Sequence, residues 1–210
     1  MEPGLRSENA VLRVGLMGGT FDPPHYAHLE IAARALEELC LDRVIFLPNG
    51  QPPHKPSYEV SAAEHRYVMT QLACADHPRF FVSRAEIERP GPSYTIETLR
   101  SLHALLGPAT ELFLLVGFDS ALELPTWREP DAVLAAATLV AAPRPGSDPA
   151  ALETALGAER AAQVRRLEMP LLEISSTALR ARAECGRSLT YLLPPSVEAY
   201  INKYSLYHKG

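Results

Sequence analysis

The chain has few of the residues that build covalent or metal-based scaffolds. Three cysteines, Cys40, Cys74 and Cys185, are spread over 210 residues, odd in number and without a C-x-x-C pair. Core thiols in a reducing compartment are the expectation, ahead of metal or redox use. No stretch approaches the roughly 20 apolar residues of a membrane span. The first apolar run, Val11–Met17, is interrupted by Arg13 and is too short for the core of a secretory leader. A cytoplasmic protein without membrane contact is therefore expected. Runs of five like charges are also missing and the formal net charge is -5, so the basic stripe of a duplex nucleic-acid binder is absent. An anionic ligand would have to be held by a few local cations and by backbone N–H groups.

What is present is an ordinary globular composition, 47% hydrophobic and 21% charged, in a length that suits one domain with a real core. Residues 1–10 read as a tail, and 11–210 as a single domain. Short apolar runs alternate with segments of helical spacing. Strands are expected at Val11–Met17, Val44–Leu47, Phe80–Val82, Leu112–Val116, Thr138–Ala142 and Leu171–Ile174. Helices are expected at Tyr26–Cys40, Ala62–Ala73, Tyr94–Leu106, Ala132–Ala136, Pro149–Val164 (with Gly157 as a break), Thr177–Glu184 and Val197–Lys203. Strands that are apolar throughout are usually covered on both faces. The fold expected is thus α/β: an open, doubly wound, mostly parallel Rossmann-like sheet with helices on both faces and a small C-terminal helical part. Ligands of such sheets bind beyond the carboxyl ends of the strands. Every unusual cluster falls on one of those ends: 18–28, 49–56, 89–95, 117–128, 143–146 and 175–180.

The first cluster runs Gly18-Gly19-Thr20-Phe21-Asp22-Pro23-Pro24-His25-Tyr26-Ala27-His28. It is neither the G-x-G-x-x-G fingerprint nor a Walker loop. Its glycines allow close backbone approach, and its prolines suit the start of a helix. A helix starting near Pro24 would put His25 and His28 one turn apart at the positive end of its dipole, where phosphates bind. Two solvated surface histidines are the plainer alternative; a zinc pair would prefer i,i+4 spacing and further ligands. The last cluster, Ile174-Ser175-Ser176-Thr177-Ala178-Leu179-Arg180, offers a serine N-cap at Ser175 or Ser176. Arg180 can lean back over the first turn, so that a guanidinium and N–H groups converge on one anion. Alone, this is an ordinary capped helix; beside a second phosphate site it is half of a triphosphate clamp. Lys55, on the stiff Pro52–Pro56 loop, is a further cation. Asp119, after Gly117-Phe118, is read as a ribose acceptor, as an N-cap, or as both.

Taken in order, these motifs resemble the bacterial nicotinate-nucleotide adenylyltransferase family, within the nucleotidyltransferases marked by H-x-G-H. Gly18–Leu29 looks like G-G-T-F-D-P-x-H-x-G-H-L, Pro52–Lys55 is similar to P-P-H-K, and Arg89–Leu99 resembles the segment that binds the nicotinate nucleotide. Gly117–Trp127 looks like G-x-D…W, and Ile174–Arg180 is similar to I-S-S-T-x-x-R. Ala27 stands where the pattern has Gly, and Phe118 where it often has a smaller residue. The resemblance implies that His25, His28 and Arg180 hold and polarise the ATP phosphates. Gly18, Gly19, Thr20, Phe21, Lys55, Gly117, Asp119, Ile174, Ser175 and Ser176 would complete the ATP site. Ser93, Tyr94, Thr95, Trp127 and Arg128 would face the nicotinate nucleotide, with the Thr95 N–H on the pyridine carboxylate and Trp127 stacked on the ring.

The reaction so implied is ATP + nicotinate mononucleotide → nicotinate adenine dinucleotide + pyrophosphate, with Mg²⁺ arriving on ATP and no dedicated protein metal site. The expected partners are small molecules, not nucleic acid or membrane, and a homo-oligomer is left open. A sister transferase acting on nicotinamide mononucleotide or another phosphorylated acceptor is an alternative. Others are a nucleotide-sensing protein without turnover and an aminoacyl-adenylate ligase, for which the chain is short.

Overall fold

A computed structural model describes residues 11–51, 59–107 and 109–207; the tail at 1–10 and Lys55 lie outside them. The strands are β1 (Arg13–Gly19), β2 (Arg43–Pro48), β3 (Phe80–Val82), β4 (Glu111–Gly117), β5 (Thr138–Ala142) and β6 (Arg165–Arg166). They form one six-stranded sheet in the order β3-β2-β1-β4-β5-β6. Every pairing is parallel. The inner strands are largely apolar because side chains alternate between two buried faces, whereas β6, Arg165–Arg166, is an exposed edge. On one face Val14, Leu16, Leu112, Leu114 and Leu139 join a cluster with Ile96 and Leu99. On the other, Met17, Phe113, Leu115 and Val140 join Leu36, Val44 and Phe46.

The helices are α1 (Tyr26–Glu38), α2 (Ala63–Cys74), α3 (Thr95–Leu106), α4 (Phe118–Leu122), α5 (Pro130–Ala136), α6 (Ala150–Leu156), α7 (Ala158–Ala161), α8 (Ser176–Glu184) and α9 (Pro195–Lys203), with a 3-10 turn at Leu124–Thr126. A third cluster joins α2, α8 and α9 through Met69, Leu179, Ala183, Val197 and Ile201. None of these helices is long and apolar enough to cross a membrane. The direction of winding reverses between β1 and β4, which opens a crevice at their carboxyl ends.

Three expectations need correction. The last strand is Arg165–Arg166, which pairs with Val140 and Ala141 of β5, and not Leu171–Ile174. Leu171 and Leu172 are exposed at 53% and 36%, and Leu172 and Ile174 line the cavity described below. Their apolarity belongs to a ligand-facing wall, not to a strand. The expected break at Gly157 is present: its φ of 79°, a left-handed conformation suited to glycine, divides the Pro149–Val164 segment into two helices. Asp119 is not an N-cap: α4 starts at Phe118 with Gly117 as its cap. Of the cysteines, only Cys74 is a core thiol, with burial pushing its pKa up to about 12; Cys40 and Cys185 are exposed.

Gly50, just after β2, marks a backbone crossing. A Cβ there would stand 2.4 Å from the Glu86 carbonyl oxygen, which cannot swing away as a side chain could. A Cβ on Gly18, by contrast, would meet nothing within 4 Å. Gly50→Ala is expected to lower stability by about 1–3 kcal/mol through overpacking, with Gly18→Ala close to the parent. Urea midpoints check this; equal midpoints for the two variants would contradict the crossing.

Candidate active site

Phe21–Pro24 leave the end of β1 as a buried loop. α1 begins at Tyr26, as the helical spacing predicts and not near Pro24, so His25 is its N-cap, with extended backbone (φ -151°, ψ 172°). The two imidazoles nevertheless meet, with ring centroids 3.8 Å apart and stacked. The Phe21 ring meets His28 edge-on, with centroids 5.1 Å apart. The His25 N–H donates to His28 Nδ1 at 3.2 Å. A neutral ring accepting at Nδ1 carries its proton on Nε2, so His28 is left with a donor there. Among the described residues, His25 Nδ1 is buried without a hydrogen-bond partner. Tyr26 N donates to Leu192 O, and His28 N to His25 O. With these first-turn amides already bonded, the anion-binding capacity of this end rests chiefly on the imidazoles.

Across the crevice, α8 begins at Ser176, capped by Ser175, whose Oγ accepts from Ala178 N at 3.2 Å. Two bonds tie this helix to the loop before α1. Ser176 Oγ donates to Pro23 O at 2.8 Å, and Arg180 Nη1 donates to Asp22 O at 2.8 Å. The histidine pair and the start of α8 are thereby fixed on one cavity of about 830 Å³.

The far wall is built on α3. Its N-cap is Tyr94, and Arg128 lies over the Tyr94 ring at 4.8 Å while pairing with Glu97 at 2.9 Å. Trp127 packs partly on the core and also lines the cavity. Ser93 is fastened by a bond from Gly50 N at 3.2 Å. Below it, Arg89 donates to Thr98 Oγ1, which donates to the buried Glu86; burial raises the Glu86 pKa against those bonds.

Every expected site residue among those described lies on this cavity's wall: Gly18, Gly19, Thr20, Phe21, His25, His28, Ser93, Tyr94, Thr95, Gly117, Asp119, Trp127, Arg128, Ile174, Ser175, Ser176 and Arg180. Residues that the sequence reading did not single out stand with them. Arg144, after β5, forms an ion pair with Asp119 and lines both the main cavity and a neighbouring one of about 520 Å³. Its rim position was visible in sequence, but its partner was not. Asn49 lines the cavity and donates to Thr20 Oγ1 at 3.3 Å. Arg66, 2% exposed, donates to Thr20 O, Asn49 Oδ1 and Gly50 O from behind the loops. Among the described residues, no three His, Cys, Asp or Glu side chains group to hold a metal ion.

A family model described as cytidylyltransferase-like matches residues 16–182. A Thermus thermophilus protein is 48% identical over 196 residues, covering 93% of this chain and 100% of the relative. A Thermoanaerobacter protein is 45% identical over 201 residues, covering 94% and 95%. Both carry the name "probable nicotinate-nucleotide adenylyltransferase". The chain belongs to the nicotinate-nucleotide adenylyltransferase family. The fold is also that of the Plasmodium falciparum nicotinic acid mononucleotide adenylyltransferase complexed with NaAD, with a TM-score of 0.75, 18% identity, and 93% and 97% of the two chains covered. Of the two departures from the family pattern, Ala27 is buried on the cavity wall. Phe118 is 4% exposed in the core, so its bulk is directed largely into the protein.

Burial, then the Arg144 charge, lowers the His25 pKa to about 4. Burial, His25 and Arg144 hold His28 well below its usual value. Both imidazoles are therefore neutral at pH 7. An unfolded His25 titrates near 6.5, so between these values the unfolded chain binds more protons. The stability contribution is full above about 6.5 and is lost as pH falls toward 4. From pH 7 to pH 5, His25 alone is expected to cost roughly 2 kcal/mol, and His25→Asn to flatten the dependence. Urea unfolding at both pH values tests this; identical pH slopes in parent and variant would contradict it.

Proposed function

We propose that the chain transfers AMP from ATP to nicotinate mononucleotide, giving nicotinate adenine dinucleotide and pyrophosphate. The observation that carries this reading is one cavity with two chemically distinct ends. At one end, the imidazoles of His25 and His28 face the start of α8, to which their loop is bonded at 2.8 Å. At the other end, the start of α3 stands beside Trp127. The first suits a triphosphate. The second suits a ring that is cationic and bears a carboxylate: an aromatic face for the pyridinium, and a helix N-terminus with the Thr95 N–H for the anion.

In this reading a phosphate oxygen of the mononucleotide, already ionised at neutral pH, attacks the α-phosphorus of ATP. A bond forms between that oxygen and the phosphorus. The bond to the β-phosphate oxygen breaks, and its electron pair leaves with pyrophosphate. No proton has to be removed from the nucleophile, so no general base is required. His28 Nε2–H, His25, the Ser176 backbone N–H and Arg180 donate to phosphate oxygens and stabilise the charge that accumulates on the leaving pyrophosphate. Neutral imidazoles donate without adding a permanent charge, and Arg180 supplies the cation, with Lys55 assisting. Thr20, Gly18 and Gly19 border the phosphates, while Gly117, Asp119 and Arg144 flank the adenosine. Mg²⁺ enters as part of the ATP substrate, held by phosphates and water.

His28→Ala is expected to lower kcat by about 10²–10³, the scale for losing one such donor, with the circular dichroism spectrum unchanged. Near-parental turnover would overturn the role of His28. Side-by-side kinetics with the acid and amide mononucleotides test the acceptor. The acid is expected to give the larger kcat/KM, and equal or reversed values would overturn the assignment of the nicotinate end.

A further inference from the structure

The segment that follows α9 reaches the phosphate loop. After α9, Leu206 N donates to Ile201 O at 3.0 Å, and Leu206 and Tyr207 pack against the cluster of Met69, Leu179, Val197 and Ile201. Tyr207 has a left-handed φ of 67°, a conformation that a bulky residue keeps only when its surroundings impose it. Its hydroxyl donates to Asp22 Oδ1 at 2.6 Å, across 185 residues. Burial and the Asp22 charge raise the pKa of this phenol, so it remains a donor throughout the neutral range.

Asp22 is 1% exposed and is the point where several segments meet. Oδ2 accepts from Ser61 N at 3.1 Å, at the approach to α2, and its backbone carbonyl accepts from Arg180. Ser61 O in turn accepts from Arg66 Nε at 3.0 Å, and the same guanidinium holds Thr20 and Gly50. The Asp22 carboxylate thus registers the segment after α9 and the start of α2 on the loop that leads directly into His25.

We propose that Tyr207 is a positioning residue for the transfer reaction: acting through the Asp22 carboxylate, its hydroxyl sets the loop that places His25, His28 and the Arg180 anchor. This rests on the function proposed above. Removing the hydroxyl leaves one carboxylate oxygen buried without its donor. The loop can recover a partner only by moving, and a displacement of about 1 Å in a reacting group is enough to cost on the order of 10²-fold in rate.

The test is Tyr207→Phe, which keeps the ring and its packing. Tyr200→Phe is the control. Tyr200 belongs to the same cluster and its hydroxyl is also bonded, to His65 Nδ1 at 2.9 Å, but it has no bond to the phosphate loop. With MgATP and whichever mononucleotide the parent uses, Tyr207→Phe is expected to lower kcat about tenfold or more, with KM for either substrate changed less than about threefold. Tyr200→Phe is expected to stay within about twofold of the parent. A kcat for Tyr207→Phe within twofold, or equal losses in both variants, would overturn the proposal. Amide hydrogen exchange gives a readout that does not need turnover. Tyr207→Phe should speed exchange at Tyr26, His28 and Leu29 about tenfold, and Tyr200→Phe should not; unchanged exchange would overturn the proposal. A parent that turns over neither mononucleotide would instead refute the proposed function, and the exchange comparison would still decide the positioning. Should Tyr207→Phe fail to fold, Asp22→Asn takes its place with the same expected loss of kcat and the same twofold limit.

Discussion

The site depends on two hydrogen bonds, from Ser176 and Arg180 at the start of α8 to the carbonyls of Pro23 and Asp22 just before α1. They bring two helix N-termini onto one cavity. Aligned peptide dipoles make each such end electropositive, so placing two together is unfavourable unless something negative lies between or beside them. Arg144 adds a third positive element on the same wall and is held by Asp119. Two helix starts, Arg180 and Arg144 are thus gathered on one cavity of a chain whose formal net charge is -5. Local geometry, and not overall charge, determines which ligand the molecule suits.

The same concentration accounts for the state of the histidines. A charged imidazole would add to a positive field from which water is largely excluded, so burial and Arg144 both favour the neutral ring. A neutral ring has one donor nitrogen, and the His25 N–H on His28 Nδ1 decides which one. Backbone and side chain therefore select a tautomer before any phosphate arrives. In electrostatic catalysis of this kind, donors that are already oriented need no reorganisation during the reaction.

Much of the fold is legible in the sequence because its inner strands are apolar on both faces and its loops are full of proline and glycine. Thr138–Ala142 and Phe80–Val82 are strands with the expected bounds. Leu171–Ile174 was misread because a cavity wall and a buried strand have the same composition; only the pairing of Arg165–Arg166 with β5 separates them. The expected site residues among those described do line one cavity, because the doubly wound topology gathers strand ends. The support behind them was not legible. Arg144 needs Asp119, 25 residues away, and Asp22 needs Tyr207, 185 residues away. Arg66 sits in an otherwise ordinary helical pattern, and neighbouring letters say nothing of the loop carbonyls it serves. Local patterning encodes elements, whereas these partners are set by tertiary approach.

The central claim is that a triphosphate lies between the histidine pair and the start of α8. A crystal structure with a non-hydrolysable ATP analogue and Mg²⁺ tests it most directly. The account predicts phosphate oxygens within hydrogen-bond distance of His28 Nε2 on one side and of Ser176 or Arg180 on the other. A triphosphate lying instead along Pro145–Asp148, away from both helix starts, would contradict it.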